Sequence, residues 1–427
     1  MATTILDAPN STMNRLADAD SAAHDWYRFV LSYPAHLVRH YLDRFGVDEG
    51  STVLDPFCGT GTTLVECKKH GIGSIGIEAH PMTALASTVK VDWRPDPAEL
   101  ITHAERIAAA TTECFALNGD DTHLLSLSAE AAKLLLANSI SPRPLHKTLG
   151  LLDVLRAQDD ARFTPHERLA LAKALVYSIS NLHFGPEVGV GTPKADASVV
   201  EPWLSNVRTM ARDLAILQEA GLAAVPSQVI NADSRDLIGV LEPASVDAVI
   251  CSPPYPNEKN YTRTTRLETV LLGFAETKAE LQAIKRGLVR SNTRTVYKGD
   301  DDDQYVSSVP EVERIAREIE ARRVELGKTS GFERLYHRVT RLYFGGMAKH
   351  FADLRTILKP GAHLAYVVGD QASYLRVMIR TGQLLAEIAE RLGYEVVNVD
   401  LFRTRLATAT QDQLREEVVV LRWPGQA

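Results

Sequence analysis

An open, doubly wound α/β sheet carrying a helical insertion is the fold class this sequence predicts, and three observations predict it. A short apolar run, Thr52-Val53-Leu54, leads through a glycine turn into the helical pattern Leu64-Val65-Glu66-Cys67. A second run, Gly73-Ser74-Ile75-Gly76-Ile77, stops at an acid, Glu78. A third, Val246-Asp247-Ala248-Val249-Ile250-Cys251, ends in Ser252-Pro253-Pro254-Tyr255. Strands of this kind, alternating with helical patterns, build a parallel sheet whose ligands lie beyond the strands' carboxyl ends.

The turn after the first strand reads Asp55-Pro56-Phe57-Cys58-Gly59-Thr60-Gly61-Thr62-Thr63. Two glycines two apart let backbone approach a ligand closely at a helix N-terminus. A dinucleotide fingerprint would need a third glycine where Leu64 stands, and a phosphate loop would need Gly-Lys-Ser/Thr, which is absent. Asp55 disfavours a phosphate and suits a cationic ligand, while Glu78 stands where such folds grip a ribose diol. In Ser252-Pro253-Pro254-Tyr255 each proline fixes φ, so the loop is a stiff floor lined with acceptors. Ser252 Oγ and the Ser252 or Pro253 carbonyl can take hydrogen bonds from an exocyclic NH₂, and Tyr255 can stack on the ring that carries it. That outlines a nucleobase site.

Together these segments resemble the S-adenosylmethionine-dependent DNA methyltransferases that modify exocyclic amines, in their cytosine-N4 branch. The resemblance covers the motifs rather than the whole chain. It implies a Rossmann-like methyltransferase sheet whose last strand pair is antiparallel, drawn here from residues 364–368, 396–401 and 417–421. It also implies S-adenosylmethionine as cofactor, double-stranded DNA with a flipped base as partner, and a place in restriction-modification. Asp55, Pro56, Phe57, Cys58, Gly59, Gly61 and Thr62 match the cofactor loop, Glu78 with Ala79 the ribose acid, and Asp233 with Ser234 the segment that touches the adenine amine. Phe29-Val30-Leu31-Ser32-Tyr33-Pro34-Ala35-His36 is similar to the opening motif that closes over the methionine end, which assigns Tyr33 and Pro34. Ser252, Pro253, Pro254 and Tyr255 match the catalytic motif. Transfer by in-line positioning calls for no metal. Serine at the first catalytic position favours cytosine N4 over adenine N6, yet hydroxyl and carboxamide are both acceptors and either base stays open. The same motifs also fit an RNA base methyltransferase, or a non-catalytic subunit that recognises nucleic acid.

Composition agrees with a cytoplasmic enzyme. The 427 residues are 45% apolar and 24% charged, enough for one large domain plus an addition, or for two domains. Residues 1–20, expected as a flexible N-terminus, have neither a basic head nor a continuous apolar stretch, and no run approaches the roughly 20 apolar residues of a membrane span. Cys58, Cys67, Cys114 and Cys251 lack paired zinc spacing and read as reduced, mostly buried thiols, Cys251 as packing.

A net charge of −7 is an obstacle for a nucleic-acid enzyme unless cations are gathered locally. Residues 259–298 gather them, with nine basic side chains against three acids. Lys259, Arg263, Arg290 and Arg294 are the expected nucleic-acid contacts, and the acidic run Asp300-Asp301-Asp302-Asp303 closes the segment as an exposed loop. Helical patterns fill most of residues 82–223, broken by Phe184-Gly185-Pro186-Glu187-Val188-Gly189-Val190-Gly191-Thr192-Pro193-Lys194, a loop expected over the substrate cleft. Leu358-Lys359-Pro360-Gly361 reads as a helix-to-strand turn. The expected division is a catalytic domain from residues 21–85, 226–258 and 341–427, a helical insertion at 86–225 and a basic insertion at 259–340. No separate target-recognition domain is expected, so recognition falls to the insertions.

Overall fold

A computed structural model describes residues 16–27, 32–117, 123–184, 188–257, 259–406 and 413–425. Phe29, Val30 and Leu31 of the opening motif, Gly185, Pro186 and Glu187 of the glycine-rich loop, and residues 1–15 lie outside the described residues. Strands β1 (Thr52–Asp55) and β2 (Gly73–Ile77) come first, followed by the short pair β3 (Leu182–Phe184) and β4 (Val188–Val190). Then come β5 (Ser227–Ile230), β6 (Val246–Cys251), β7 (Leu358–Gly369), β8 (Glu395–Leu406) and β9 (Gln413–Arg422).

The main sheet has the order β5-β2-β1-β6-β7-β9-β8. Strands β5, β2, β1, β6 and β7 run parallel, and β9 is antiparallel to both β7 and β8. The sheet is therefore mixed α/β and doubly wound, with the antiparallel pair where it was expected. One expectation needs correction. Leu358 to Gly361 is already strand, because Leu358 pairs with Val246 and a register shift opposite Val246 to Ala248 of β6 lets β7 carry the proline and glycine as surplus residues.

Local chemistry explains how helix and sheet meet beneath the first turn. Gly76 in β2 leaves room that a side chain would fill, since a Cβ there would stand 2.7 Å from Leu64 Cδ2 and 2.8 Å from Cys58 Sγ. The helix Thr62–Lys69 can thus lie directly on the strand. Gly61 is in the left-handed region at φ +84°, and a Cβ would press on Ser87 of the helix Pro81–Val91 at 3.2 Å.

Helices Pro97–Leu117, Ala129–Leu134, Pro142–Ala157, Thr164–Ala174 and Val200–Glu219 fill the region expected as helical. They share one apolar core with Cys58, Leu64 and Val65 of the first turn and helix, sealed by Trp93, Trp203 and Leu169. In and beside the glycine-rich loop, β3 and β4 pair antiparallel, Leu182 opposite Val190 and Phe184 opposite Val188. The segment before the sheet is tied down by buried polar bonds: His24 to Glu66 at 2.7 Å and Tyr27 Oη to Glu268 Oε1 at 2.7 Å. Arg39 from the helix Ala35–Phe45 completes this clasp on Glu66 Oε2 at 2.6 Å.

Candidate active site

Because β1, β2, β5, β6 and β7 are parallel, the segments that leave their carboxyl ends emerge on one edge of the sheet. A cavity of about 680 Å³ opens there, and it is walled by the glycine turn, Glu78, Ser234 and the Ser252-to-Tyr255 loop together. Its apolar share includes Phe57, Ile77, Pro253, Pro254 and Phe402.

At one end, Glu78 Oε2 accepts the Gly59 N–H at 2.8 Å and Oε1 accepts the His80 N–H at 2.7 Å, so the acid stitches the turn to the strand end. Burial nevertheless outweighs those two donors and pushes its carboxyl up to about 7. Behind the turn lies Asp55, which is fully buried and accepts the Phe57 N–H at 3.0 Å, the Thr63 hydroxyl at 2.7 Å and the Tyr33 hydroxyl at 3.2 Å. Burial raises this group too, to about 7. Tyr33 touches Thr63 as well, and thus ties the opening motif to the cofactor turn. Phe57 meets the His350 ring edge-on at 4.9 Å. His350 in turn contacts the Ser234 carbonyl at 2.8 Å and the Tyr366 hydroxyl at 2.6 Å, and burial holds its imidazole down at about 4.

At the other end, Ser252 Oγ donates to the Val367 carbonyl at 3.1 Å, with the Tyr255 hydroxyl 3.5 Å away. With its hydrogen spent on β7, the serine turns lone pairs outward. Tyr261 backs the loop through a hydrogen bond to the Tyr255 backbone, and burial raises its phenol to about 12. Arg403 and Arg405 of β8 reach the rim, where Arg403 grips Glu416 of β9 in a two-pronged pair at 2.5 and 3.0 Å.

Sequence comparisons bear on what this cavity is. A family model described as DNA methylase matches residues 10–87, the stretch that holds the opening motif, the cofactor turn and Glu78. The Type II methyltransferase M.BsoBI of Geobacillus stearothermophilus is 25% identical over 444 residues, spanning 95% of this chain and 85% of its own. M.AvaI of Nostoc sp., also a Type II methyltransferase, is 21% identical across 96% of this chain and 88% of its own. The chain is similar to the amino-methyltransferases. A third Type II methyltransferase, M.MjaII of Methanocaldococcus jannaschii, is 48% identical over 69 residues, 16% of this chain and 13% of its own. A solved rRNA methyltransferase, aviRa from Streptomyces viridochromogenes, shares 11% identity over 96% of this chain and 94% of its own, with a TM-score of 0.31.

Amino-methyltransferases take their methyl group from S-adenosylmethionine, and the donor set of the cavity suits that molecule. A carboxylate at a strand end and an aromatic wall at Phe57 match hydroxyls and a purine in turn. Of the residues expected on the cofactor, Tyr33, Pro56, Phe57, Cys58, Gly59, Thr62, Glu78, Ala79 and Ser234 line the cavity, and the four catalytic-loop residues all do.

The other expected residues stand elsewhere, for physical reasons. Asp55 is under the turn and shapes it, and Gly61 faces Ser87 rather than the cavity. Pro34 is extended at the start of the helix Ala35–Phe45. Asp233 is turned from the wall because Arg235 engages both of its oxygens, at 3.0 Å from Nε and 2.6 Å from Nη2.

Among the expected nucleic-acid contacts, only Lys259 lines the cavity. Arg290 is 3% exposed and binds both oxygens of Asp300 at 2.9 and 2.8 Å, so it serves as an internal strut and not as a phosphate contact. Arg263 is half-buried away from the wall, its Nε without a partner. Arg294 is exposed and lies over the Phe332 ring at 5.4 Å. The acidic run is likewise no exposed loop throughout, since Asp302 is buried against Arg235 at 2.5 Å. Among the described residues of the β3–β4 hairpin and its exit, none lines the cavity, which removes them from the cleft.

Several lining residues escape the sequence reading. Asn257, Asn260 and Tyr261 follow the catalytic loop within six positions, and that polar, aromatic spacing is the signal that could have found them. Phe402, Arg403 and Arg405 have none, because a register shift between Leu401 and Arg403 breaks the alternation that would have placed them.

Proposed function

We propose that this chain is a DNA methyltransferase that uses S-adenosylmethionine to methylate the exocyclic amine of a base turned out of the duplex, with cytosine N4 the favoured acceptor. The observation that carries this reading is the shared cavity, in which Glu78 and the Ser252-to-Tyr255 loop wall one continuous space. Relatives called Type II methyltransferases, aligned over almost the whole chain, support DNA as the substrate.

In this reading Glu78 accepts the ribose hydroxyls, Ser234 and Phe57 flank the adenine, and Tyr33 closes the methionine end. Bound S-adenosylmethionine supplies a methyl group made electrophilic by its sulfonium. The chain's own task is the amine, whose lone pair is delocalised into the ring and is a poor nucleophile. Ser252 Oγ and the Pro253 carbonyl each accept one N–H, which draws the hydrogens out of the ring plane and frees the lone pair for in-line attack. Turning a base out of the stack costs a few kcal/mol, which stacking on Tyr255 offsets by about 1–3 kcal/mol.

Nucleoside mass spectrometry of duplex DNA incubated with the protein and S-adenosylmethionine tests the reading. N4-methylcytosine is the expected product. N6-methyladenine would transfer the activity to the other base, and methylation confined to RNA would overturn DNA as substrate.

A further inference from the structure

Beyond the catalytic loop, two asparagines on the cavity wall carry amide N–H donors that no described residue uses. Asn257 and Asn260 both line it, and each is only 7% exposed. Asn257 Oδ1 accepts the Lys259 backbone N–H at 3.1 Å. Asn260 Oδ1 accepts the Thr262 hydroxyl at 2.8 Å, while that hydroxyl oxygen takes an N–H from Arg266 at 3.4 Å. Each carboxamide is therefore oriented by its oxygen, which leaves the NH₂ as the free end. Among the described residues neither Nδ2 has a partner, and neither is a sealed, unpaired atom. Asn292, on the same wall, is a contrast: its Oδ1 accepts the Arg294 N–H and its Nδ2 donates to the Lys259 carbonyl at 3.1 Å.

We propose that Asn257 and Asn260 read the ring edge of the target base next to its amine, each donating an N–H to a base acceptor. The proposal rests on the methyltransferase reading above and goes further by assigning the residues that choose the base. The floor formed by Ser252 and Pro253 accepts hydrogen bonds, and the wall beside it donates two. A base that fits presents a donor followed by two acceptors. Cytosine does so with its N4 amine, N3 and O2. Adenine offers its amine and N1, and then only a C–H, which would leave one buried donor unpaired.

The test is methyl transfer to duplexes whose target base is cytosine or 3-deazacytosine, which replaces the N3 acceptor by a C–H, using wild type, Asn257→Asp and Asn260→Asp. The aspartate keeps the oxygen that holds Lys259 or Thr262 and removes the donor. With cytosine, each variant is expected to lose about tenfold or more in kcat/KM while S-adenosylmethionine affinity and melting temperature hold. Wild type is expected to lose a similar factor on 3-deazacytosine, and one of the two variants to show no further loss on that base. Losses that multiply for both variants, in an enzyme that methylates cytosine normally, overturn the assignment of the asparagines and leave the function standing. Should wild type methylate adenine and not cytosine, the cytosine reading falls and this inference with it. If either aspartate variant melts early, the wild-type comparison of the two bases still decides: equal rates refute base-edge recognition at N3.

Discussion

Glu78 holds two backbone N–H groups and still sits near neutrality, because burial strips its carboxyl of solvent. A ligand that brings hydroxyl donors and a cation stabilises the carboxylate, so binding should release a proton near pH 7. S-adenosylmethionine affinity is expected to rise roughly tenfold from pH 6 to pH 8, and Glu78→Gln to weaken binding and erase that slope. Calorimetry in buffers of different ionisation enthalpy measures both, and a flat profile in wild type would remove Glu78 from the ribose. Ser252 and Tyr255 line the opposite end. Ser252→Ala and Tyr255→Ala should each lower turnover by about 10²-fold or more while cofactor affinity persists. Near-normal turnover in Tyr255→Ala would exclude a stacked, flipped base. The cavity-lining residues legible in the sequence, Glu78 and Ser252 to Tyr255, are those placed by a strand end followed by a fixed backbone. Asp233 is not legible in the same way, because a sequence does not say whether a carboxylate turns to a ligand or to the arginine two residues on.

Elements are legible where period and punctuation agree. β1, the glycine turn and the helix Thr62–Lys69 follow directly from Thr52-Val53-Leu54 and the two glycines, and β6 from its unbroken apolar run. The basic segment 259–298 misleads because composition counts charges without pairing them. Two of its neighbouring acids are counter-ions: Asp300 holds Arg290, and Asp302 holds Arg235, which joins this segment to the end of β5. A consequence separates a strut from a phosphate contact. Arg290→Ala strands Asp300 in a buried site and should cost about 3–5 kcal/mol of stability in chemical denaturation. The salt slope of DNA binding should stay unchanged in whatever fraction remains folded. A slope lowered by about one unit, with stability intact, would return Arg290 to the nucleic-acid surface.

Across the whole molecule, the sheet order brings segments more than 150 residues apart in sequence, Glu78 and Ser252, to one cavity, while the helices of residues 97–219 are continuous with the core behind the cofactor turn. Enclosing such a site buries ionisable groups, and their signs set how stability varies with pH. Asp55, Glu78 and Glu268 are each pushed up by burial to about 7, and Glu268 Oε2 has no partner among the described residues. Each native carboxyl therefore holds its proton more tightly than the unfolded chain does. Its contribution is present in full below the unfolded value and is lost as pH climbs through about 7. Glu66 runs the other way. Burial opposes its ionisation, but the His24 hydrogen bond and the charges of His24, Lys69 and Arg39 hold it down at about 2, so its contribution appears above the ordinary glutamate range and is lost only as pH falls toward about 2. The two trends cross in mildly acid solution, where the ligand-free protein should be most stable. Its melting temperature is expected to fall by a few degrees from pH 6 to pH 8, and Glu268→Gln, which keeps the acceptor for Tyr27 without the charge, should flatten that fall. Saturating S-adenosylmethionine should flatten it as well, because it stabilises the ionised form of Glu78. A melting temperature that climbs steadily to pH 8, or a Glu268→Gln profile parallel to wild type, would show that these carboxyls do not govern the acid–base stability of the fold.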